Sequence, residues 1–202
     1  MYISKTPTIV KAIYSSLVWN MPRDSNNVYL TFDDGPHPQI TPQVLTQLDK
    51  YKAKASFFCI GKNIVPNRPL FDKLISIGHS VGNHTYKHEN GWKTENKEYY
   101  ASISSCQELT QSNLFRPPYG KITKQQASTL NKKYKIIMWD VLSGDFDSKT
   151  SKEKCLNNVI KNIQPGSIVV FHDSEKAAEK MLYALPRVLE FICEKKWVCK
   201  SL

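Results

Sequence analysis

Seven short runs rich in β-branched and aromatic residues recur along the chain with helix-compatible stretches between them, and this alternation constrains the fold more than any other feature. The runs cover residues 28–33, 55–60, 80–84, 114–117, 135–140, 167–172 and 198–202. Helical patterns fill the intervals at 41–51, 68–77, 96–112, 123–133, 151–163 and 177–195, several of them opened by Ser, Thr or Asn in the capping position. Strands separated by helices run parallel, because each helix returns the chain to the same end of the sheet. The runs KIIMW (135–139) and SIVVFH (167–172) are almost continuously apolar, as suits strands covered on both faces. The expected fold class is α/β, either a barrel or a doubly wound sheet. No Gly/Ser linker, composition break or internal repeat divides the 202 residues, so one domain spanning 1–202 is expected.

Composition narrows the class without deciding function. Hydrophobic residues at 41% and charged residues at 23% match ordinary globular usage, which sets aside collagenous, coiled-coil and wholly disordered chains. The longest apolar runs, such as IVVF at 168–171, are far shorter than the ~18 residues of a membrane span, and no transmembrane segment is expected. Lys plus Arg exceed Asp plus Glu by 28 to 18, a net charge of +10. That excess is compatible with nucleic acid, an anionic polymer or an acidic membrane surface, but the lysines are spread along the chain as on a solvated surface. Five cysteines, with no CxxC pair, indicate neither a zinc ribbon nor a complete disulfide framework. Near the N-terminus an apolar stretch at 9–19 is broken by Lys11 and two serines, and no small-residue cleavage site follows it. No cleavable signal is read there, and a cytoplasmic or an envelope-associated location both fit.

Ionisable residues gather just beyond the expected strands: Asp33 and Asp34, His84 and His88, Arg116, Asp140 and Asp145, His172 and Asp173. In parallel α/β folds the carboxyl ends of the strands form the ligand face, so these groups are expected to converge. Histidines four apart in HTYKH (84–88) can meet one ion from a single turn, and neutral imidazole suits zinc, although two histidines alone also occur with no metal. The adjacent carboxylates Asp33 and Asp34 repel one another unless a cation or a base compensates, or they serve as a cap and a turn before Gly35 and Pro36. Two histidines and one aspartate make three ligands, the number that leaves a catalytic zinc one open position.

Five motifs in order then resemble the polysaccharide deacetylases with a NodB homology domain, carbohydrate esterase family 4: TFDDGP (31–36), GHSVGNHTYKH (78–88), RPPYG (116–120), WDVLSGDF (139–146) and IVVFHD (168–173). The resemblance covers the chain from about Val28 onward and implies a distorted barrel of about seven parallel strands, with residues 1–26 as an N-terminal extension packed on it. It also implies a hydrolase that removes N-acetyl groups from an aminosugar polymer such as peptidoglycan or a chitin-like oligosaccharide. By the same resemblance Asp33 is the general base, and Asp34, His84 and His88 hold a divalent metal ion, expected to be zinc. Arg116 orients the base, the Tyr119 amide donates to the oxyanion, His172 is the general acid and Asp145 tunes it. This chain departs from the family in carrying Phe146 where tryptophan is common after the tuning aspartate, and Val170 where leucine is common. Both changes bear on the acetate pocket.

Tyr86, Trp92 and Tyr119 lie near the motifs and are read either as sugar-stacking or as packing residues, whereas Trp139 and Phe171 are expected in the core. Two other readings stand beside the deacetylase. One keeps the metal site but acts on another acyl amide or cyclic C–N bond. The other is a basic module that binds glycan or nucleic acid without catalysis; nucleic acid is not expected as a partner, because a scaffold has no physical need to hold adjacent carboxylates beside histidines. The polymer, the acyl group and the oligomeric state are left open by the sequence.

Overall fold

A computed structural model describes residues 2–202; Met1, where the expected extension begins, lies outside the described residues. The strands are β1 (Asn27–Asp33), β2 (Ser56–Cys59), β3 (Ser80–Asn83), β4 (Leu114–Phe115), β5 (Lys135–Ile136), β6 (Val141–Leu142), β7 (Ile168–His172) and β8 (Val198–Cys199). The helices are α1 (Thr8–Ile13), α2 (Ile40–Lys50), α3 (Gly61–Ile64), α4 (Arg68–Ser76), α5 (Asn96–Thr110), α6 (Lys124–Leu130), α7 (Lys152–Ile160) and α8 (Glu175–Glu194). Two of their starts were legible: Thr123 and Gln126 form a reciprocal capping box on α6, and Ser151 Oγ accepts the Lys154 N–H at 3.1 Å on α7.

Seven strands pair in the order β5-β4-β3-β2-β1-β7-β6, and β8 pairs with the start of β1. Each ladder is parallel, and the sheet curls into an incomplete barrel. The expected strand 135–140 is not one strand. Its first two residues pair with β4, while Asp140 donates to Ile168 O and Val141–Leu142 pair with β7. One run thus spans the gap between the two ends of the sheet, so no single ladder can hold it. The N-terminal arm fills that gap: Val18 bridges Ile137, Lys5 bridges Val141 and Asn20 bridges Ser167.

Side-chain alternation sorts the strands into two faces. Val28, Leu30 and Phe32 of β1, with Val169 and Phe171 of β7, meet the apolar stripes of α2 and α8 in one core that includes Val44, Leu48, Met181, Leu185 and Val188. Phe32 stacks on Phe57 at 5.1 Å and on Phe171 at 6.0 Å between ring centroids. The opposite set, Thr31 and Asp33 on β1, faces the barrel interior with Arg116.

Asp140 anchors the arm rather than joining the strand-end cluster expected to bind ligand. Its fully buried carboxylate takes Lys5 Nζ at 2.7 Å, Lys11 Nζ, Arg23 Nη2 at 3.1 Å and Ser167 Oγ at 2.6 Å. Burial alone would raise its pKa, but the hydrogen bonds from Lys11, Lys5 and Ser167 prevail and bring it down to about 2. A carboxylate whose folded pKa lies below its ordinary value of 3.8 gives stability that is present above that value and lost as pH falls toward 2. Asp140→Asn is therefore expected to destabilise the protein by about 3 kcal/mol at neutral pH, the low end for breaking a buried pair because the cations can reach water. Denaturant unfolding at pH 7 and near pH 2 checks it: the two proteins should differ at pH 7 and converge in acid.

Candidate active site

Asp33 and His172 are register partners on the neighbouring strands β1 and β7, both at the carboxyl ends. Each is oriented by a charged partner. Arg116, wholly buried just after β4, donates from Nη1 to Asp33 Oδ1 at 2.6 Å and to Thr31 Oγ1 at 2.7 Å. Its Nε donates to Ile137 O and its Nη2 to Met138 O, both at 3.1 Å, and its guanidinium lies 4.0 Å above the Phe58 ring. Asp145 grips His172 twice: Oδ2 accepts the His172 backbone N–H at 2.7 Å and Oδ1 pairs with Nδ1 at 2.8 Å. That second bond leaves Nε2 turned away from Asp145 and free to exchange a proton.

Asp34, His84 and His88 place one ligand atom each within 4.8 Å of one another. His84 Nδ1 bonds Arg116 O at 2.8 Å, and a carbonyl can only accept, so Nδ1 carries the hydrogen and Nε2 presents its lone pair. Burial holds the His84 imidazole down to about 4, which keeps it neutral. His88 Nδ1 lies 3.1 Å from the Tyr119 hydroxyl, and the two rings meet edge to face at 4.5 Å. Asp34 Oδ1 sits 3.2 Å from His88 Nε2 and 3.9 Å from His84 Nε2, yet this buried oxygen has no hydrogen-bond partner of satisfactory geometry. Although burial opposes its charge, the nearby histidines, His88 foremost, hold its carboxyl well below the usual carboxylate range. A buried carboxylate oxygen without a partner, facing two imidazole nitrogens, is the donor set a divalent cation requires, so these residues fit one.

Backbone strain concentrates at these residues. Asp34, His88 and Tyr119 have φ of 83°, 65° and 59°, a region that non-glycine residues hold only when their surroundings fix them. Asn63 Nδ2 ties down Asp34 O at 2.7 Å, and Asp173 Oδ1 accepts the Gly35 N–H at 3.0 Å, while Thr41 donates to its other oxygen. Asp173 thus holds the turn from outside the cleft. Burial pushes its carboxyl up to about 7, against the Thr41 hydrogen bond. In the turn Pro118–Gly120, Gly120 N–H bonds Pro117 O and Lys121 N–H bonds Pro118 O, both at 3.0 Å; neither bond uses the Tyr119 N–H.

All of Asp33, Asp34, His84, His88, Tyr119 and His172 line one cleft of about 520 Å³, with Arg116 and Asp145 directly behind it. Sequence reasoning missed a whole wall of it: Tyr2, Ile3, Val10 and Trp19 come from the N-terminal arm, where no motif signals them. Trp139 packs against the core only in part and also lines the cleft, because the chain leaves β5 after Ile136 to cross the gap. Phe171 is buried as expected. Trp92 lies outside the cleft, donating Nε1–H to Ile122 O at 2.9 Å beneath Lys121 Nζ, and Tyr86 packs on Gly61, where a Cβ would meet its ring at 2.4 Å.

Comparison with known proteins gives a consistent answer. The family described as polysaccharide deacetylase matches residues 20–136. A peptidoglycan-N-acetylglucosamine deacetylase of Bacillus cereus is 33% identical over 190 residues, covering 86% of this chain and 84% of its own. A chitooligosaccharide deacetylase of Azorhizobium caulinodans is 33% identical over 160 residues, covering 75% of each. Among solved structures, the Bc1960 peptidoglycan N-acetylglucosamine deacetylase superposes with a TM-score of 0.89 at 28% identity over 98% of this chain and 95% of that one.

Burial disfavours a charged His172, but Asp145, with Asp34 and Asp33 behind it, overrides burial and brings the imidazole up to about 9. A histidine whose folded pKa is raised above its ordinary 6.5 contributes stability that is complete below that value and lost as pH rises through 9. In Asp145→Asn the His172 titration, followed by NMR in metal-free protein, is expected to move down toward the ordinary value. An unmoved titration would mean that Asp145 only closes the turn before Asp147.

Proposed function

The chain belongs to the polysaccharide deacetylase family, and on that premise we propose that it hydrolyses N-acetyl groups on an aminosugar polymer, peptidoglycan or a chitin-like oligosaccharide, with a divalent metal ion, expected to be zinc. The observation that carries the reading is that one cleft brings together the pairs Asp33 with Arg116 and His172 with Asp145 and the Asp34, His84 and His88 triad. Relatives named for peptidoglycan and for chitooligosaccharide support the polymer class.

Asp34, His84 and His88 would hold the ion, which when bound supplies a Lewis acid for the acetamide carbonyl and makes water nucleophilic near neutral pH. Asp33 accepts the proton of the attacking water. Arg116 occupies its Oδ1, so Oδ2 is the oxygen directed to that proton, and the fixed guanidinium keeps the carboxylate aimed. The Tyr119 N–H donates to the developing oxyanion, a contribution of the kind worth ~10² to 10³ in rate. His172, kept charged by Asp145, delivers a proton from Nε2 to the leaving nitrogen, which cannot depart as an amide anion. Acetate and a free amine on the sugar result. The base and the acid differ because their partners differ: a cation beside Asp33 and an anion beside His172.

Acetate release from peptidoglycan, chitooligosaccharides, acetylxylan and free N-acetylglucosamine, measured with and without chelator, tests reaction and substrate together. Release is expected from the aminosugar polymers, to be abolished by chelator and restored by zinc. In a zinc-soaked crystal one ion is expected about 2.0–2.2 Å from Asp34, His84 and His88. Release from acetylxylan alone, or activity indifferent to chelator, would overturn the reading.

Asp33→Asn and His172→Ala are each expected to lower turnover by ~10² or more while leaving metal content unchanged, because proton transfer supplies ~10² to 10⁴. Turnover with metal quantified in the same preparations checks both. A variant that keeps normal turnover loses its assigned role.

A further inference from the structure

The N-terminal arm reaches the catalytic loop. Leu142 N–H bonds Ser4 O at 2.8 Å, Thr6 N–H bonds Asp140 O at 2.9 Å and Lys5 bridges Val141, so the arm lies antiparallel beside β6. That pairing delivers Tyr2 to the loop after β6, residues 143–150, which carries Asp145 and Phe146. The Tyr2 hydroxyl bonds Thr150 Oγ1 at 2.6 Å and accepts from Asn158 Nδ2 at 3.2 Å; Asn158 Nδ2 also donates to Ser143 O at 2.8 Å. One hydroxyl therefore joins the far end of the loop to the helix that holds its start.

The ring contacts continue to the reacting group. Tyr2 meets Phe146 at 5.4 Å and Phe146 meets the His172 imidazole edge-on at 5.2 Å. Gly144 is shaped to this contact: its φ is +77°, and a Cβ there would lie 2.0 Å from the Tyr2 hydroxyl. A tyrosine merely tethering the terminus would have no reason to stand against the aromatic that walls His172, and the family match begins only at residue 20.

We propose that Tyr2 is a positioning residue, whose hydroxyl and ring hold the 143–150 loop so that Asp145 and Phe146 stand correctly against His172. The catalytic consequence rests on the deacetylase reading above; the holding of the loop does not. Misplacing a reacting group by ~1 Å can cost ~10² in rate, so a loosened loop should appear in kcat rather than in KM.

The test uses the full chain with Tyr2→Phe, which keeps the ring and removes both hydroxyl bonds, and Tyr2→Ala, which removes the ring as well. Hydrogen exchange at the Asp147 and Thr150 amides, which bond within the loop to Gly144 O and Asp147 O, is expected to quicken about tenfold in Tyr2→Phe, the equivalent of losing one ordinary hydrogen bond. With zinc loaded, kcat should fall about tenfold in Tyr2→Phe and about a hundredfold in Tyr2→Ala, with KM within about twofold of the parent. Asn158→Ala should reproduce the faster exchange from the other side of the bond. Parent-like exchange across 143–150 in both Tyr2 variants overturns the proposal, as does a lower melting temperature with kcat unchanged, which would make Tyr2 a simple anchor. If the parent protein itself releases no acetate, the deacetylase reading falls, and the exchange measurement still decides whether Tyr2 holds the loop.

Discussion

The buried guanidinium of Arg116 organises the molecule. It is wholly out of solvent, where an unpaired charge would be prohibitive, and the fold pays that cost by surrounding it with Asp33, Thr31, two backbone carbonyls and the face of Phe58. Those partners come from β1, from the crossing segment at 137–138 and from β2, so satisfying one side chain requires the barrel interior to be assembled correctly. Its own carbonyl then fixes the His84 tautomer. Asp33 and His84 thus take their orientation from a single residue, and neither can be set without the other.

Around that centre the protein separates charge by neighbour rather than by distance. Asp33 and His172 end adjacent strands, yet one faces a cation and the other a doubly bonded carboxylate. Proximity alone would draw the two toward a neutralising pair; instead each is bonded to its own partner, Asp33 to Arg116 and His172 to Asp145. Strain at Asp34, His88 and Tyr119 belongs to the same arrangement, because all three residues with left-handed backbone line the cleft. The surrounding hydrogen bonds from Asn63 and to Asp173 are what make such strain tolerable.

The open seam of the barrel explains why the N-terminal arm matters. A sheet curled without closing leaves edge groups and interior surface exposed. Residues 4–20 bond along both ends of the gap, and a buried Asp140 pairs with the three cations that the arm and its neighbour bring there. In closing the gap the arm also becomes a wall of the cleft, so a device needed for the fold acquires contact with the candidate site.

The sequence by itself determined the parallel α/β class and most element positions, because strand periodicity is a local property, and its motifs singled out eight candidate site residues that the fold gathers at one cleft. It identified Asp33, Arg116, Asp145 and His172 as groups that belong together, although nothing local says which pairs touch. Tertiary structure alone decided the rest. Asp140, another acidic residue near a strand end, turned out to be an anchor because the arm supplies its cations. Trp139, in an apolar run, became cleft lining because that run crosses between the two ends of the sheet. Tyr2 entered the site wall with no motif at all. For Asp140 and Tyr2 the deciding contacts join segments more than a hundred residues apart, and such pairings are fixed by how the sheet curls and what fills its seam, which no periodicity or spacing records.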